Sequence, residues 1–324
     1  VEKLKMLKKL VVAKEYKYDL EKKNNWALSD LSPLSDLKVL RHLDCSSTQV
    51  NDLSPLSGLK DLQILRCSFT QVSDLSPLSG LKVLQHLECS GTQVSDLSPL
   101  PGLKVLQHLE CVDTQVSDLS PLVGLTTLQI LYCSNTPVND LSPLAGLTNL
   151  QQLFCFNTPV SDLSSLAELT ALQRLYCSNT PVSDLSPLKK IIQKGTPVKW
   201  SRHENGICVE DCPLTNPPRE IVEQGNEAIL SYWEQIEKQG GTEIINEAKL
   251  IIVGEGKTGK TTLFNKLIDP HFDLHANPTD ETHGINIHEG LVFKDDFRAN
   301  LWDFGGQELQ YMTHQFFLTP KALY

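Results

Sequence analysis

The chain has 324 residues, 40% hydrophobic and 21% charged, a composition that allows a sizeable core and two domains. Its formal net charge of −10 argues against a general nucleic-acid binder, because such proteins present a basic surface to phosphates. No apolar run approaches the roughly 20 residues that span a bilayer, and the N-terminal segment lacks the apolar stretch of a secretory signal. These features predict a cytoplasmic protein without a membrane span.

The first 23 residues have a local positive charge, since eight lysines stand against four acidic residues, which leaves −14 for the remainder. Leu4, Leu7, Leu10 and Val11 share one face at a helical period. We therefore predict a capping helix over residues 1–26 that covers the open end of the next domain. Contact with an acidic membrane surface is the alternative.

From Leu31 onward the segment Asp-Leu-Ser-Pro-Leu recurs at a constant spacing of 22 residues, with Ser165 in place of its proline in one copy. A period of about 20–29 residues with leucines at L-x-x-L spacing is typical of leucine-rich repeats. One copy cannot bury its own leucines, whereas stacked copies share a core. The pattern predicts an α/β solenoid of 22-residue leucine-rich repeats over residues 27–218, degenerate at its C-terminal end, with parallel strands on the concave wall and short helices on the convex wall.

Two residue types recur in register with these leucines. The aspartates before each Leu-Ser-Pro/Ser-Leu unit are predicted helix N-caps rather than catalytic acids; they are Asp52, Asp74, Asp96, Asp118, Asp140, Asp162 and Asp184. The cysteines are predicted to be small, buried, reduced residues in one column; they are Cys45, Cys67, Cys89, Cys111, Cys133, Cys155 and Cys177. Cys208 and Cys212 lack the second pair or spaced histidine that a zinc site needs.

Residues on either side of each central strand leucine are predicted to project from the concave face. On the first half of this face, toward the N-terminal repeats, the projecting residues are mostly polar and acidic. Aromatic residues gather in the second half and predict a protein-contact surface; they are Tyr132, Phe154, Phe156 and Tyr176. A solvated wall without a fixed partner is the alternative. Strand register alone would align His86, His108, Glu88 and Glu110, so we do not predict a metal site there.

After the repeats, residues 219–243 have a helical composition followed by Gly240-Gly241, and they are predicted to be a linker helix and hinge.

The next apolar run leads into a stretch that fits G-x-x-x-x-G-K-[ST] at every fixed position. In this motif backbone N–H groups surround phosphates, Lys260 neutralises the terminal phosphates and the Thr261 hydroxyl ligates Mg²⁺. A ligand-free turn is the alternative. The predicted nucleotide-binding residues are Gly254, Gly256, Lys257, Thr258, Gly259, Lys260, Thr261 and Thr262.

A second motif, Asp303-Phe304-Gly305-Gly306-Gln307-Glu308, resembles the D-x-x-G-Q-E switch of Ras-like small GTPases. The resemblance implies that Asp303 holds the metal, that the Gly306 N–H contacts the γ-phosphate and that Gln307 orients the attacking water. Thr282, between the two motifs, matches the switch threonine that closes over Mg²⁺. The implied catalytic residues are Gln307, Lys260 and Thr282, and the implied metal ligands are Thr261, Thr282 and Asp303.

Leucine-rich repeats, an N-P-P-x-E-I-V-x-Q-G-like segment from Asn216 to Gly225 and a Ras-like domain occur here in the order of the Roco family, which this chain resembles. The resemblance implies a Roc GTPase that binds GTP and GDP with Mg²⁺ and hydrolyses GTP. It also implies a homodimer through a COR domain, with a protein partner on the repeats. Two alternatives remain: a non-enzymatic interaction module with an inactive G-domain fragment, and an ATP-dependent signalling NTPase, which usually carries an acidic pair after an apolar strand.

The sequence stops at Tyr324, before the guanine-reading N/T-K-x-D motif, the later base-contacting loop and the COR domain of that family. Residues 244–324 are therefore predicted to be a partial Ras-like α/β P-loop domain that holds only its first three motifs. Because guanine is read by the missing segments and a sheet edge is left uncovered, we expect the parent protein, rather than this chain alone, to be the competent GTPase.

Overall fold

The computed structural model describes residues 6–12, 28–200, 205–239, 247–252, 259–273, 285–292, 298–304 and 322–323. The chain divides into two compact units, Val1–Gly240 and Gly241–Tyr324, and each has its own sheet. Among the described residues, no helix is long and apolar enough to cross a membrane.

A parallel sheet forms one wall of the first unit. Its short strands are β1 (Lys9–Val11), β2 (His42–Asp44), β3 (Ile64–Arg66), β4 (His86–Glu88), β5 (His108–Glu110), β6 (Ile130–Tyr132), β7 (Gln152–Phe154), β8 (Arg174–Tyr176), β9 (Val198–Lys199) and β10 (Ile207–Cys208). Over the described ranges the strands lie in the order β1 to β8, followed by β10 and then β9. In neighbouring repeats, the paired strand residues are 22 positions apart in the sequence. The predicted solenoid is confirmed.

The opposite wall contains single turns of 3₁₀ helix built from Ser-Pro-Leu or, at residues 164–166, from Ser-Ser-Leu. They span Ser32–Leu34, Ser54–Leu56, Ser76–Leu78, Ser120–Leu122, Ser142–Leu144, Ser164–Leu166 and Ser186–Leu188. Proline suits the start of such a turn, because its missing N–H would have no helical partner there. Leucines from both walls and the loops between them are buried in one continuous core, as the repeat pattern predicts.

The repeat aspartates hold the start of each helical turn. In the second repeat, Asp52 Oδ1 accepts the Ser54 N–H at 2.8 Å, and the same contact recurs along the array. The N-cap position itself belongs to the leucine, here Leu53, so the prediction was wrong by one residue. The aspartate instead makes a local turn through its side chain. Hydrogen bonds from the Ser54 hydroxyl and N–H lower the pKa of Asp52, as expected for a carboxylate with a structural role.

The seven repeat cysteines are completely buried, which confirms the predicted column. Cys67 Sγ donates to the Glu88 carbonyl oxygen at 3.3 Å, and equivalent contacts link other repeats. Burial raises the pKa of Cys111 to about 12, so this thiol stays protonated. The column therefore behaves as small apolar residues with weak donors.

The N-terminal helix prediction was wrong where the structure describes the segment. Lys9–Val11 form strand β1, which pairs in parallel with β2, and the Val12 N–H donates to the Asp44 carbonyl oxygen at 2.8 Å. The unpaired edge of β2 supplies backbone partners that outweigh a weak helical period. Leu7, Leu10 and Val12 still pack against the core. The remainder of the predicted helix, residues 1–5 and 13–26, lies outside the described residues.

Helices follow the last repeats. They are α1 (Lys189–Gln193), α2 (Arg219–Val222) and α3 (Asn226–Gln239). Gly225, at φ 91°, separates α2 from α3, because glycine adopts this left-handed conformation without steric cost. Trp233 of α3 is buried, and its Nε1 donates to Asn216 Oδ1 at 2.8 Å, while Asn216 Nδ2 donates to Asp184 Oδ1 at 2.8 Å. These contacts attach α3 to the end of the array.

The second unit is an α/β fold. Its described elements are β11 (Glu247–Ile252), α4 (Lys260–Ile268), β12 (Ile285–Val292), β13 (Arg298–Phe304) and β14 (Ala322–Leu323). Over these elements the strand order is β12-β13-β11-β14; β12 runs antiparallel to β13, and the other pairs are parallel. Ile252, Phe264, Ala299 and Leu301 form a small buried core between α4 and the sheet. The predicted Ras-like architecture is confirmed.

Candidate functional site

The start of helix α4 carries the described part of the phosphate-loop motif. Gly259 is the N-cap residue and has φ 85° and ψ 16°, a left-handed conformation that glycine adopts without steric cost. Lys260 and Thr261 consequently occupy the first helical turn, where backbone N–H groups lack helical partners and the helix dipole favours anions. Half-buried Thr262 follows them. The other predicted loop residues, Gly254, Gly256, Lys257 and Thr258, lie outside the described residues.

Strand register brings the second motif to the same place. β11 and β13 are parallel neighbours in which Ile252 pairs with Asp303, so both strands end at one edge of the sheet. Asp303 is completely buried. Its Oδ2 accepts a hydrogen bond from the Thr261 hydroxyl at 2.8 Å, although the two residues are 42 positions apart. Two of the three predicted metal ligands are therefore brought together.

This pair has the chemistry that Mg²⁺ prefers. A threonine hydroxyl and a carboxylate supply hard oxygen atoms, and magnesium sites usually combine one or two such groups with waters and phosphate oxygens. A carboxylate as deeply buried as Asp303 is stable only with hydrogen bonds or nearby positive charge. Thr261 supplies one such hydrogen bond, and half-buried Lys260 precedes it on the same helical turn. The residues present therefore fit a Mg²⁺-nucleotide site.

Three predicted catalytic or sensing residues lie outside the described residues: Thr282, Gly306 and Gln307. Their roles stay predictions. What sequence reasoning missed is the direct contact between Thr261 and Asp303. Its signal was that each motif comes at the C-terminal end of an apolar strand, because neighbouring parallel strands end at the same edge of the sheet.

A row of aromatic side chains crosses the strand wall of the repeat array, the face predicted to be concave. The ring centroids of Tyr132 and Phe154 are 4.2 Å apart, and those of Phe154 and Tyr176 are 4.4 Å apart. His108 continues the row, 5.6 Å from Tyr132. Phe156, two residues after Phe154, is half-buried. Tyr132, Phe154 and Tyr176 therefore form a row of ring contacts across neighbouring strands, and the use of these aromatic residues as a partner surface stays a prediction.

Charged residues continue this row toward the N-terminal repeats. Ligand atoms of Glu88, His108 and Glu110 lie within 4.8 Å of one another. Arg66 Nε donates to Glu88 Oε1 at 2.7 Å, and His108 Nε2 lies 2.6 Å from Glu110 Oε1. Each carboxylate thus has a partner within the protein: Arg66 and Glu88 pair across neighbouring strands, whereas His108 and Glu110 lie in the same strand.

Comparison with known proteins identifies both units. Residues 249–324 match the family described as "Ras of Complex, Roc, domain of DAPkinase". Residues 60–102, 104–146 and 148–190 match the family of leucine-rich repeats in two copies. The chain therefore has leucine-rich repeats followed by a Roc domain, and it is similar to proteins named Roco.

Relatives of this chain include two probable serine/threonine-protein kinases of Dictyostelium discoideum. The kinase pats1 is 35% identical over 130 residues, covering 34% of this chain and 4% of the relative. The kinase roco11 is 36% identical over 116 residues, covering 33% and 8%. A Roc-COR-CHAT protease from an unknown prokaryotic organism is 33% identical over 134 residues, covering 36% and 12%. The matches thus span 4–12% of these relatives' lengths.

Solved structures resemble the repeat array. Internalin C2 from Listeria monocytogenes has a TM-score of 0.50 and 35% identity, covering 52% of this chain and 74% of the internalin. A leucine-rich-repeat protein from Leptospira interrogans has a TM-score of 0.53 and 20% identity, covering 60% and 49%. The second likeness shows the fold alone, and both agree with the stacked parallel strands.

Proposed function

We propose that this Roco-type protein binds GTP and GDP with Mg²⁺ and hydrolyses GTP, with its repeat array as a protein-interaction and regulatory scaffold. The main support is the 2.8 Å contact between the Thr261 hydroxyl and the buried Asp303 carboxylate, at the sheet edge where α4 begins. The match of residues 249–324 to the Roc family supports the same nucleotide site. Dimerisation through a COR domain and a cytoplasmic location stay predictions.

The proposed reaction is in-line attack of water on the γ-phosphate, in which a new P–O bond forms and the bond to GDP breaks. Bound Mg²⁺ would supply charge neutralisation on the phosphate oxygens. Thr261 and Asp303 would hold that ion in place, and Lys260 would neutralise the terminal phosphates beside the positive end of α4. Gln307 orients the water, and Thr282 closes over the γ-phosphate.

GTP is favoured over ATP by the residues after β13. An ATP-driven signalling NTPase usually carries an acidic pair after this strand, whereas the present chain has Asp303 followed by Gly306 and Gln307 in the D-x-x-G-Q-E pattern. The glycine and glutamine positions suit a γ-phosphate sensor and a water-orienting side chain. The Roc match agrees with the guanine-nucleotide assignment.

Thr261→Ala tests the metal part of the proposal. In the full-length protein that carries this sequence, we expect the variant to lower Mg²⁺-dependent GTP affinity at least about tenfold, because a ligand oxygen worth about 1.4 kcal/mol or more is lost. The measurement is calorimetric GTP titration with saturating Mg²⁺ and with a chelator. Lys266→Ala is the matched control, since Lys266 lies exposed on the same helix and donates to the Pro270 carbonyl oxygen. An unchanged Mg²⁺ dependence in Thr261→Ala would reject the site.

The aromatic row supports a second activity, protein binding on the concave face. Stacked, half-buried rings of Tyr132, Phe154 and Tyr176 present apolar surface with little side-chain freedom left to lose. Such aromatic residues often dominate the binding energy of protein interfaces. A purely non-enzymatic interaction module would keep this surface and lack nucleotide turnover.

A double substitution tests this surface. Tyr132→Ala with Phe154→Ala should lower the affinity of a concave-face partner about thirtyfold or more, the effect of removing roughly 2 kcal/mol of interface contacts. Quantitative affinity capture with wild-type and variant protein measures the difference. Ile64→Ala is the control, because Ile64 is a half-buried apolar residue on the same face in β3. Equal recovery of every partner by the double variant would favour a solvated wall.

A further inference from the structure

Two copies of a His-x-Glu pair lie side by side on the strand wall of the repeat array. Strand β4 carries His86 and Glu88, and strand β5 carries His108 and Glu110. The two strands are parallel neighbours in which His86 pairs with His108 and Glu88 pairs with Glu110. Residues two apart in a strand project from the same face. All four side chains therefore share one patch of this wall.

Three of these side chains bring metal-ligating atoms close together. The ligand atoms of Glu88, His108 and Glu110 lie within 4.8 Å of one another, and His108 Nε2 lies 2.6 Å from Glu110 Oε1. In a tetrahedral zinc site with bonds of about 2.0–2.2 Å, neighbouring ligand atoms are about 3.4 Å apart. The glutamate side chains have rotatable bonds that can close the remaining distance. One ion can therefore contact all three residues.

The charges of this patch favour a cation. The carboxylates of Glu88 and Glu110 lie in directly paired positions of neighbouring strands, where like charges repel. Arg66 Nε donates to Glu88 Oε1 at 2.7 Å. Burial, together with His108 and Arg66, lowers the pKa of His86, so this imidazole is neutral at pH 7. Two carboxylates and one guanidinium leave a net negative charge, which a divalent ion offsets while Arg66 orients Glu88.

Packing holds the histidine of this patch in place. The His108 ring stacks on His86, with centroids 5.2 Å apart and an interplanar angle of 26°, and Tyr132 lies 5.6 Å away in the next strand. The side chains of His108, Glu110 and Glu88 are 15%, 23% and 19% exposed. An ion from solvent can reach these atoms, and partial burial strengthens its attraction to the carboxylates. A ligand fixed by packing also loses little freedom on binding.

We propose that Glu88, His108 and Glu110 bind a divalent first-row transition-metal ion, with Zn²⁺ as the ion that suits them best. Imidazole with carboxylates is a common ligand set for zinc, whereas Mg²⁺ and Ca²⁺ favour oxygen ligands alone. Strand register by itself does not predict a metal site; the distances and charges support one. The site lies in the repeat array and is independent of the proposed nucleotide reaction.

Calorimetric titration of the full chain with zinc chloride, in excess Mg²⁺ and a reducing agent, tests the proposal. We expect one Zn²⁺ per chain at roughly micromolar affinity, and Glu110→Gln and His108→Gln should each weaken it at least about tenfold, since each removes a ligand. His42→Gln is the matched control, because His42 is a half-buried histidine at the equivalent position of β2. Equal zinc affinity in wild type and both site variants would overturn the proposal.

Two further measurements keep the test decisive. Thermal unfolding without metal checks that the variants keep the wild-type fold. Anomalous diffraction at the zinc absorption edge, from wild-type crystals soaked in zinc chloride, locates the ion without any variant. We expect a peak between Glu88, His108 and Glu110. Peaks only at other residues would mean an adventitious ion only, and would overturn the proposal even if a variant failed to fold.

Discussion

Lys260→Ala is expected to lower the affinity of the full-length protein for GTP by about a hundredfold or more. Lys260 is the first residue of α4, next to the left-handed Gly259, where its ammonium group can reach the terminal phosphates. Charge-assisted hydrogen bonds to phosphate contribute roughly 1.5–3 kcal/mol each, and the substitution removes the cation entirely. Thr261 and Asp303 remain in place, so the loss comes from the phosphate contact.

Equilibrium titration with a fluorescent GTP analogue measures this effect, with competition by unlabelled GTP to obtain the affinity. Lys266→Ala should bind like the wild type, because Lys266 lies at the far end of the same helix. Thermal unfolding of both variants separates loss of binding from loss of fold. Wild-type affinity in Lys260→Ala would show that the motif does not bind phosphate in this protein.

Leu131→Ala is expected to lower the free energy of unfolding of the repeat array by roughly 2–5 kcal/mol, the range for truncating a buried leucine. Leu131 is the central residue of β6, is completely buried and pairs with Leu109 and Leu153 in the neighbouring strands. Because each repeat contacts only its neighbours, a cavity in a middle repeat weakens both of its interfaces. The transition should also broaden if the two halves begin to unfold separately.

Urea denaturation followed by circular dichroism measures this loss. Val123→Ala is the control, since Val123 is 59% exposed in the same repeat, and its effect should stay within about 0.5 kcal/mol. Equal stabilities of Leu131→Ala and Val123→Ala would mean that the leucine column does not supply the core energy.

Much of the repeat fold could be predicted because its sequence period equals its structural period. Each 22-residue copy places one leucine, such as Leu87, at the buried centre of a strand and one cysteine, such as Cys89, just after it. Because several copies carry the same pattern, a weak secondary-structure signal in one copy does not change the prediction. The presence of a strand and the direction of its side chains therefore follow from the repeat pattern alone. Where repetition stops, this advantage ends.

The features that sequence missed depend on contacts between distant segments. Leu10 fits a helical period, yet it forms a strand because the edge of β2 offers backbone partners. The hydrogen bond from Cys212 Sγ to the Cys177 carbonyl oxygen depends on how the degenerate repeats fold back, and no fixed period covers them. At the nucleotide site, motif spacing identified Thr261 and Asp303, but their contact follows from the parallel register of β11 and β13.

Calorimetric titration of the full-length protein with GTP, GDP and ATP in Mg²⁺ tests the central claim most directly. We expect Mg²⁺-dependent binding of GTP and GDP, with ATP at least about a hundredfold weaker, because guanine-reading hydrogen bonds reject the wrong base. Tighter binding of ATP, or no binding of any of the three nucleotides, would contradict the assignment and leave the repeat array as a protein-interaction module.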